Sequence, residues 1–262
     1  GEVVGKNNEE LNFWGNEIRL KNTRNGLKQK LPIKVNPNWC YLSEGIKVEG
    51  HLNKKRVIFE NTDTALTGKI KKHLQVLGID KWTIKETLHI RIQVPIDFKD
   101  ESIEIIDGLN ETKIKSFHSR ILKLRKGDKK EIIFIQSTFQ YNHELIFRLY
   151  YEGTYIFKTY IFVPKKGKIF FWSTLEDERY ENCCVSLRLD IHNKTLSYIL
   201  NSVFKIPYGK KTKKIYIPEM IKRLDKEYLR ELVSVVIDSE AGFSGNMCIY
   251  SKSEKYLNDF SE

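Results

Sequence analysis

A short helical pattern that occurs twice is the feature that most constrains this chain. The first copy covers residues 42–49, ends in Glu49 and is followed by Gly50. The second copy covers residues 233–240, ends in Glu240 and is followed by Ala241 and Gly242. Each copy is an apolar-rich stretch that closes on an acidic residue. Because internal repetition of this kind indicates a duplicated unit, we expect two similar halves within one chain.

The chain also carries a large excess of basic residues. Its 262 residues include 45 Lys and Arg against 34 Asp and Glu, which gives a formal net charge of +11 and a pI near 9.3. Such an excess attracts polyanions before any specific contact forms, so nucleic acid is the expected partner. No apolar run is long enough to span a bilayer and no signal-peptide pattern opens the chain, so we expect no membrane partner. A zinc site is not expected from the cysteines, because Cys40, Cys183, Cys184 and Cys248 lack metal-ligand spacing. We expect reduced thiols in an intracellular, cytoplasmic protein.

Apolar periodicity and capping residues predict an α+β fold. Asn36 can cap a helix that starts at Pro37 and ends at Gly50, where a left-handed residue would close it. A strand is expected over 52–60, a helix ending at Gly78, and an alternating strand over 85–94. In that last strand, Leu88, Ile90, Ile92 and Val94 alternate with Thr87, His89, Arg91 and Gln93, which predicts a polar outer face.

The remainder of the chain continues this mixture. Residues 131–173 are β-rich and aromatic, and they predict a four-stranded meander whose aromatic rings are more typical of a sheet core than of a base-stacking platform. A second alternating strand over 185–191 precedes a helix with apolar residues from Leu196 to Phe204 on one face. The helix that carries the second motif is expected to begin near Asp225, a suitable N-cap.

The paired acids predict a divalent-metal site. A carboxylate at the C-terminal end of a helix faces the negative end of the macrodipole, at a cost of roughly 0.3–1 kcal/mol. If the two helix ends lie together, Glu49 and Glu240 also repel each other, and a divalent cation reverses both penalties. Mg²⁺ (or Mn²⁺) suits such a site, because it keeps several waters and needs only one or two carboxylates beside substrate phosphates. A metal held in this way could support phosphodiester hydrolysis.

Both motifs resemble the LAGLIDADG motif of homing endonucleases, in the archaeal form with two degenerate motifs in one chain. Residues 38–52 and 57–63 are similar to the first half of such proteins, and residues 204–211, 215–219 and 227–230 to the approach to the second motif. The resemblance covers about half of the chain. It implies two pseudo-symmetric αββαββα units, motif helices packed at their interface, and antiparallel sheets that form a DNA-binding saddle. It also implies that Glu49 and Glu240 are the catalytic, metal-binding residues.

Under this resemblance the chain divides into four segments. Residues 1–35 are a basic leader or arm, 36–128 the first LAGLIDADG-like unit, 129–180 the aromatic meander, and 181–262 the second unit. Glu44 and Val235 stand where the family favours glycine, and Val48 stands where Ala or Gly is common. Only 22 residues follow Glu240, whereas the family's second unit normally has most of its sheet after the motif. The chain is therefore truncated, or the meander supplies the missing strands, or the chain keeps the fold without the cleavage.

Basic side chains on the expected saddle are the candidates for DNA contact, because phosphate contacts give affinity and base-edge contacts give specificity. The candidates that follow the first motif are Lys54, Lys55 and Arg56, and those on one face of the strand over 85–94 are His89, Arg91 and Gln93. Arg188 and His192 lie on a comparable strand of the second half. The basic segment contributes Lys210, Lys211, Lys213 and Lys214. Arg91 and Lys214 are also the candidates for polarising the scissile phosphate.

Two functional classes remain open on the sequence. The first is a site-specific, metal-dependent endonuclease that cuts double-stranded DNA as a monomer. The second is a non-catalytic nucleic-acid-binding protein on the same scaffold, such as an RNA-splicing maturase or a regulator. Zinc hydrolase, ββα-metal and P-loop NTPase motifs are absent from the sequence.

Overall fold

A computed structural model describes residues 11–96, 103–107, 117–123, 129–137, 139–151, 154–175, 181–211, 214–243, 247–249 and 251–260. Within these ranges the chain has six α-helices and fifteen strands. The helices are α1 (Pro37–Val48), α2 (Thr64–Val76), α3 (Lys194–Ser202), α4 (Glu219–Lys222), α5 (Lys226–Glu240) and α6 (Glu254–Asp259). The strands are β1 (Leu11–Trp14), β2 (Glu17–Leu20), β3 (Leu27–Lys28), β4 (Gly50–Asn53), β5 (Arg56–Asn61), β6 (Ile84–Pro95), β7 (Ile103–Asp107), β8 (Phe117–Lys123), β9 (Lys129–Gln136), β10 (His143–Tyr151), β11 (Thr154–Val163), β12 (Phe170–Leu175), β13 (Glu181–Ile191), β14 (Ala241–Phe243) and β15 (Met247–Ile249). The expected α+β class is confirmed.

The described residues fall into two compact units, and each unit is discontinuous in sequence. The first contains the described residues up to 60, from 68 to 85 and from 189 onward. The second contains residues 61–67 and the described part of 86–188. The boundary falls inside β6 and β13, so these two strands each contribute one end to the first unit.

The first unit is built around α1. Residues 39–47 of this helix are all buried, so α1 is a central helix and not an amphipathic surface helix. Its strands follow the order β4-β5-β13-β6, the last two by their ends. Both motif helices are followed directly by a short antiparallel hairpin and then by another helix: α1 by β4, β5 and α2, and α5 by β14, β15 and α6. The repeat inferred from the two motifs is therefore matched by a repeated order of elements.

Capping explains where α1 begins and why a glycine follows it. The Asn36 side chain accepts a hydrogen bond from the Trp39 amide at 3.1 Å, and Pro37 occupies the first turn, as expected. The expected left-handed closure at Gly50 is wrong, because α1 ends at Glu49 in a right-handed conformation and Gly50 opens β4. Gly50 is needed for space: a Cβ there would lie 2.8 Å from Ile46 Cα and 2.9 Å from Ile58 O.

The single strand expected over 52–60 is a hairpin. Its turn consists of Lys54 and Lys55, and the Asn53 side chain accepts hydrogen bonds from the amides of Lys55 and Arg56 at 2.9 and 3.0 Å. An asparagine that bonds to the backbone two residues on is a turn former in its own right. β4 and β5 therefore carry the motif helix directly into a turn with two exposed lysines.

Residues 11–28, assigned above to a leader, form the three-stranded sheet β1-β2-β3. Ile18, Leu20 and Leu27 of this sheet are buried. The Leu20 amide donates to Thr195 Oγ1 at 3.2 Å, which fixes the sheet to the first turn of α3.

The second unit holds two antiparallel sheets. One contains the strands β6-β9-β8, and the other has the order β12-β11-β10-β7. A hydrophobic cluster that includes Leu88, Ile90, Phe134 and Phe147 forms its core. The expected meander is correct for β10, β11 and β12, whereas β9 pairs with β6 and β8.

Candidate functional site

The two motif helices, α1 and α5, pack against each other in the first unit. At Gly45 the two helices come close: an added Cβ would lie 3.3 Å from Val235 Cγ2 of α5 and 2.6 Å from Ile70 Cδ1 of α2. Glycine at this position therefore leaves room for side chains of both α2 and α5. Val235 and Val236 of α5 are fully buried.

Two proximities along this pair, one electrostatic and one steric, indicate that α1 and α5 run in the same direction. Near the start of α1, Glu231 lies close enough to the Cys40 thiol to raise its pKa. Further along, Gly45 meets Val235. In both cases the partner lies 190 or 191 positions later in the chain. With the same offset, the position opposite Glu49 is residue 239 or 240, so the C-terminal ends of the two motif helices lie at the same end of the pair.

Glu49 is the C-cap of α1 and its residue is half-buried. Its backbone N–H closes the last turn by donating to the carbonyls of Gly45 and Ile46. Glu240 is the last residue of α5, and its side chain lies outside the described side chains. Among the residues that the structure describes, no group of three or more His, Cys, Asp and Glu side chains has the arrangement of a metal site.

A lysine ammonium group lies against the end of α1. Lys211 Nζ donates to the carbonyl oxygens of Ile46, Lys47 and Val48 at 2.9, 2.5 and 2.8 Å. The carbonyls of a last helical turn lack the usual partner four residues on, and of these three only that of Ile46 also accepts from the Glu49 amide. The ammonium group therefore gives all three carbonyls a donor and balances the negative end of the macrodipole. Lys211, predicted to bind DNA phosphate, thus bonds to the helix end that carries Glu49.

Inside α1 a buried ion pair lies one turn before Glu49. Lys47 Nζ lies 2.6 Å from Glu44 Oε2, and the two side chains are 2% and 0% exposed. Tyr256 of α6 donates its hydroxyl hydrogen to the other oxygen, Glu44 Oε1. Glu44, which stands where the LAGLIDADG family favours glycine, is thus held by partners on its own helix and on α6.

The remaining predicted contacts of the first unit lie near the hairpin and the basic segment. Lys54, Lys55, Lys210 and Lys214 are exposed. Arg56 Nη1 pairs with Asp190 Oδ2 at 2.8 Å, and His192 Nε2 lies 3.3 Å from Asp190 Oδ1. Lys213 lies outside the described residues. The exposed lysines remain available to a polyanion, whereas the Arg56 guanidinium is already committed to a carboxylate.

The four predicted contacts of the second unit are less exposed than the sequence suggested. His89 is only 3% exposed and lies 3.0 Å from Thr87 Oγ1 through its Nε2 atom, so the expected polar, outward-facing position is wrong there. Arg91 and Gln93 on the same face of β6 are half-buried, and so is Arg188 of β13. Alternation located the core face correctly but did not reveal that the opposite face is also partly covered.

A basic cavity of about 620 Å³ in the first unit was not foreseen from the sequence. It is lined by the turn lysines Lys54 and Lys55, by Lys21 of the β2–β3 connection and by Lys194 at the start of α3. Tyr198 and Tyr208 line it as well. These residues come from four separate parts of the sequence, and local patterns do not report which loops converge.

Within the described part of the chain, no helix is both long enough and apolar enough to cross a membrane. Comparison of the chain with models of protein families, with curated proteins and with solved structures gave no match.

Proposed function

We propose that this chain is a divalent-metal-dependent endonuclease of double-stranded DNA, of the kind that its two LAGLIDADG-like motifs resemble. The observation that supports the proposal is the packing of α1 against α5 with a nearly constant offset, from which we infer that positions 49 and 240 lie at the same end of the helix pair. The LAGLIDADG-like fold, with its pseudo-symmetric halves, is part of this proposal and is supported by the repeated order of helix, hairpin and helix.

The donor set at this end is compatible with Mg²⁺. Carboxylate oxygens are the ligands that this ion prefers, and one or two of them are sufficient when substrate phosphates supply the others. Glu49 and Glu240 would hold the ion, which would activate water and stabilise charge on the phosphate.

The chain's own residues have separate tasks in this scheme. Lys211 keeps the end of α1 neutral, so the carboxylate of Glu49 is not opposed by the helix carbonyls alone. Lys54 and Lys55, at the turn after β4, would bind phosphates of the same duplex at a distance from the acids. The buried pair of Glu44 and Lys47 would fix the helix turn just before the site.

A cleavage screen over a randomised duplex library, in Mg²⁺ and with sequencing of the new ends, tests the proposal. We expect the wild-type protein to cleave, and Glu49→Gln or Glu240→Gln to abolish cleavage while DNA binding survives. Glu227→Gln is the matched control, because this exposed residue lies in the first turn of α5, at the opposite end of the same helix. Cleavage by Glu49→Gln at the wild-type rate would disprove the metal assignment.

One observation favours the second candidate, a non-catalytic nucleic-acid-binding protein. Lys211 places a positive charge against the C-terminal end of α1, so the macrodipole there already has a counter-charge from the chain itself. If this candidate is correct, the wild-type protein binds DNA or RNA equally well in Mg²⁺ and in EDTA, cleaves nothing, and is unaffected by Glu49→Gln. Absence of nucleic-acid binding under every condition would exclude both candidates.

A further inference from the structure

The basic cavity of the first unit has the features of a ligand site that is separate from the acidic helix ends. Lys54 is five positions after Glu49, and the four residues between them, Gly50–Asn53, form the extended strand β4. At about 3.3 Å per residue, the turn that lines the cavity lies roughly 16 Å from the end of α1. A group bound here would not share atoms with a metal held by Glu49.

The walls of the cavity are held in place by buried hydrogen bonds. Ser197 of α3 donates its hydroxyl hydrogen to the Asn53 carbonyl, and the Leu20 amide donates to Thr195 Oγ1 at 3.2 Å. Thr195 and Ser197 are completely buried. These bonds join the hairpin and the end of β2 to the first turn of α3. The lysines around the cavity therefore project from a fixed frame.

The charge around the cavity is of one sign. Four of the lining residues are lysines, and none is Asp or Glu. Lys54, Lys55 and Lys194 make no ion pair with another described residue. Like charges that converge without a counter-ion raise the free energy of the empty site, and an anion with more than one negative charge lowers it.

The volume of the cavity and its two tyrosines indicate which class of anion it can bind. A cavity of about 620 Å³ falls within the range for small-molecule and cofactor sites. Tyr198 and Tyr208 add hydroxyl groups and flat rings, which can hydrogen-bond to a sugar or stack on a base. Lys194 adds its charge at the first residue of α3, where the helix dipole also favours an anion.

We infer that this cavity binds a nucleoside phosphate, with the phosphate on the lysines and the nucleoside beside the tyrosines. The ligand is either a free nucleotide or the phosphorylated terminal nucleotide of a nucleic acid strand, since both present the same group. The inference goes beyond the proposed endonuclease activity, because it requires neither a metal ion nor cleavage.

Isothermal titration calorimetry in EDTA tests this inference on the full chain. The probes are adenosine 5′-monophosphate, adenosine, and a thymidine octanucleotide with either a 5′-phosphate or a 5′-hydroxyl. We expect adenosine 5′-monophosphate to bind and adenosine not to bind. Tighter binding of the 5′-phosphorylated octanucleotide than of both the free nucleotide and its 5′-hydroxyl form identifies a strand end as the ligand. Equal binding of the two octanucleotides identifies the free nucleotide.

Paired lysine variants separate the cavity from general surface charge. We expect Lys54→Gln and Lys194→Gln each to weaken nucleotide binding at least fivefold, because each loses one charge-assisted hydrogen bond. Lys72→Gln is the control, since this exposed lysine of α2 carries the same charge and does not line the cavity. Equal affinity for adenosine and its monophosphate, or equal losses in Lys54→Gln and Lys72→Gln, would overturn the inference. Neither result depends on whether the chain cleaves DNA.

Discussion

At the scale of single residues, Lys211 has the most consequential position in the first unit. Its ammonium group bonds to three successive carbonyls at the end of α1, and the residue reaches them from the loop that follows α3. The same loop is tied to β4, because the Gly209 amide donates to the Leu52 carbonyl at 2.9 Å. The sequence showed only a run of lysines here. Their separate tasks depend on where the loop passes, which charge patterning alone does not reveal.

We expect Lys211→Met to destabilise the protein by about 1–3 kcal/mol, because three helix carbonyls lose their donor and the macrodipole loses a nearby cation. The neighbouring Lys210→Met is the control, since Lys210 is exposed and should change stability by less than about 0.5 kcal/mol. Urea denaturation of both variants provides the measurement. Equal effects of the two substitutions would show that the contacts of Lys211 do not stabilise α1.

Because Glu44 and Lys47 form a buried pair, we expect the loss of one partner to destabilise the protein more than the loss of both. Replacing one partner leaves an uncompensated buried charge, so we expect Lys47→Met to cost about 3–5 kcal/mol. The double variant Glu44→Leu/Lys47→Met removes both charges and should recover much of that loss. A double-mutant cycle by denaturant unfolding measures the coupling. Additive losses in the two single variants and the double variant would contradict the pairing.

We expect the thiols of Cys40 and Cys184 to differ in reactivity. Burial, and to a smaller extent the nearby Glu44 carboxylate, raise the pKa of the Cys40 thiol from 9.0 to about 11. Because the thiolate is the nucleophile, we expect iodoacetamide at pH 8 to leave Cys40 unmodified in the native protein while the exposed Cys184 reacts. Peptide mass spectrometry measures both, and rapid modification of native Cys40 would contradict its burial.

The raised pKa of Cys40 also determines the direction in which this thiol changes the stability of the protein with pH. The folded state keeps the Cys40 proton to a higher pH than the unfolded state does. The stabilisation from this thiol is therefore complete below about pH 9 and is lost as the pH rises towards 11.

At the scale of elements, helix signals were the most predictable part of the fold. Asn36 and Pro37 located the start of α1, and Gly78, with φ of +82°, closes the segment after α2 as expected. The β4–β5 turn was missed, because it uses Asn53 with two lysines and lacks glycine. Strand pairing was also beyond the sequence. Alternation identifies the buried face of β9, but it does not state that β6 and β8 are its neighbours.

The aromatic strands illustrate the same limit. Phe134 and Phe147 pack in the core with ring centroids 4.9 Å apart, which agrees with the predicted role. Tyr160, Phe170 and Trp172 are instead 37–64% exposed on one face of β11 and β12. Periodicity shows that alternate residues share a face, but only the packed structure shows which of the two faces is covered.

Two glycines in neighbouring helices provide a test of the close packing of α2 and α5 around Gly45 of α1. We expect Gly45→Ala to destabilise the protein by about 1–3 kcal/mol, because its Cβ would lie 2.6 Å from Ile70 Cδ1 and 3.3 Å from Val235 Cγ2. Gly68→Ala in α2 is the matched control. No atom lies within 4 Å of its Cβ position, so alanine there should stabilise by about 0.4–1 kcal/mol. Opposite signs in thermal or urea unfolding are expected, and stabilisation by both variants would contradict the close approach.

At the scale of the whole molecule, charge and motif pairing were predictable, and the arrangement of units was not. The net charge of +11 follows from counting, and the packing of α1 against α5 was expected from the resemblance of their sequences. The interleaving of two units was not foreseen, because the boundary falls inside β6 and β13, where hydrophobic alternation continues without a break. Linker composition can indicate a boundary only where a linker is present.

The excess positive charge predicts salt-sensitive binding to DNA. We expect the logarithm of the association constant to fall linearly with the logarithm of salt concentration. Each of Lys54, Lys55 and Lys210 that contacts a phosphate contributes about 0.9 to the slope for duplex DNA, so replacing it with Gln should flatten the slope by that amount. Fluorescence anisotropy over a salt series measures the slopes, with Lys72→Gln expected to match the wild type. Binding that does not vary with salt would exclude a phosphate-based interface.

The ends of the two motif helices have different surroundings. At the end of α1, Lys211 bonds to three backbone carbonyls, whereas in the last turn of α5 Lys69 of α2 pairs with the side chain of Asp238 at 2.7 Å. An enzyme with two half-sites of this kind would not open both strands of its substrate at the same rate. One strand would be broken first, and a nicked circle would accumulate transiently from a supercoiled plasmid before any linear product. The position of one ammonium group would then determine which strand of the duplex is cut first.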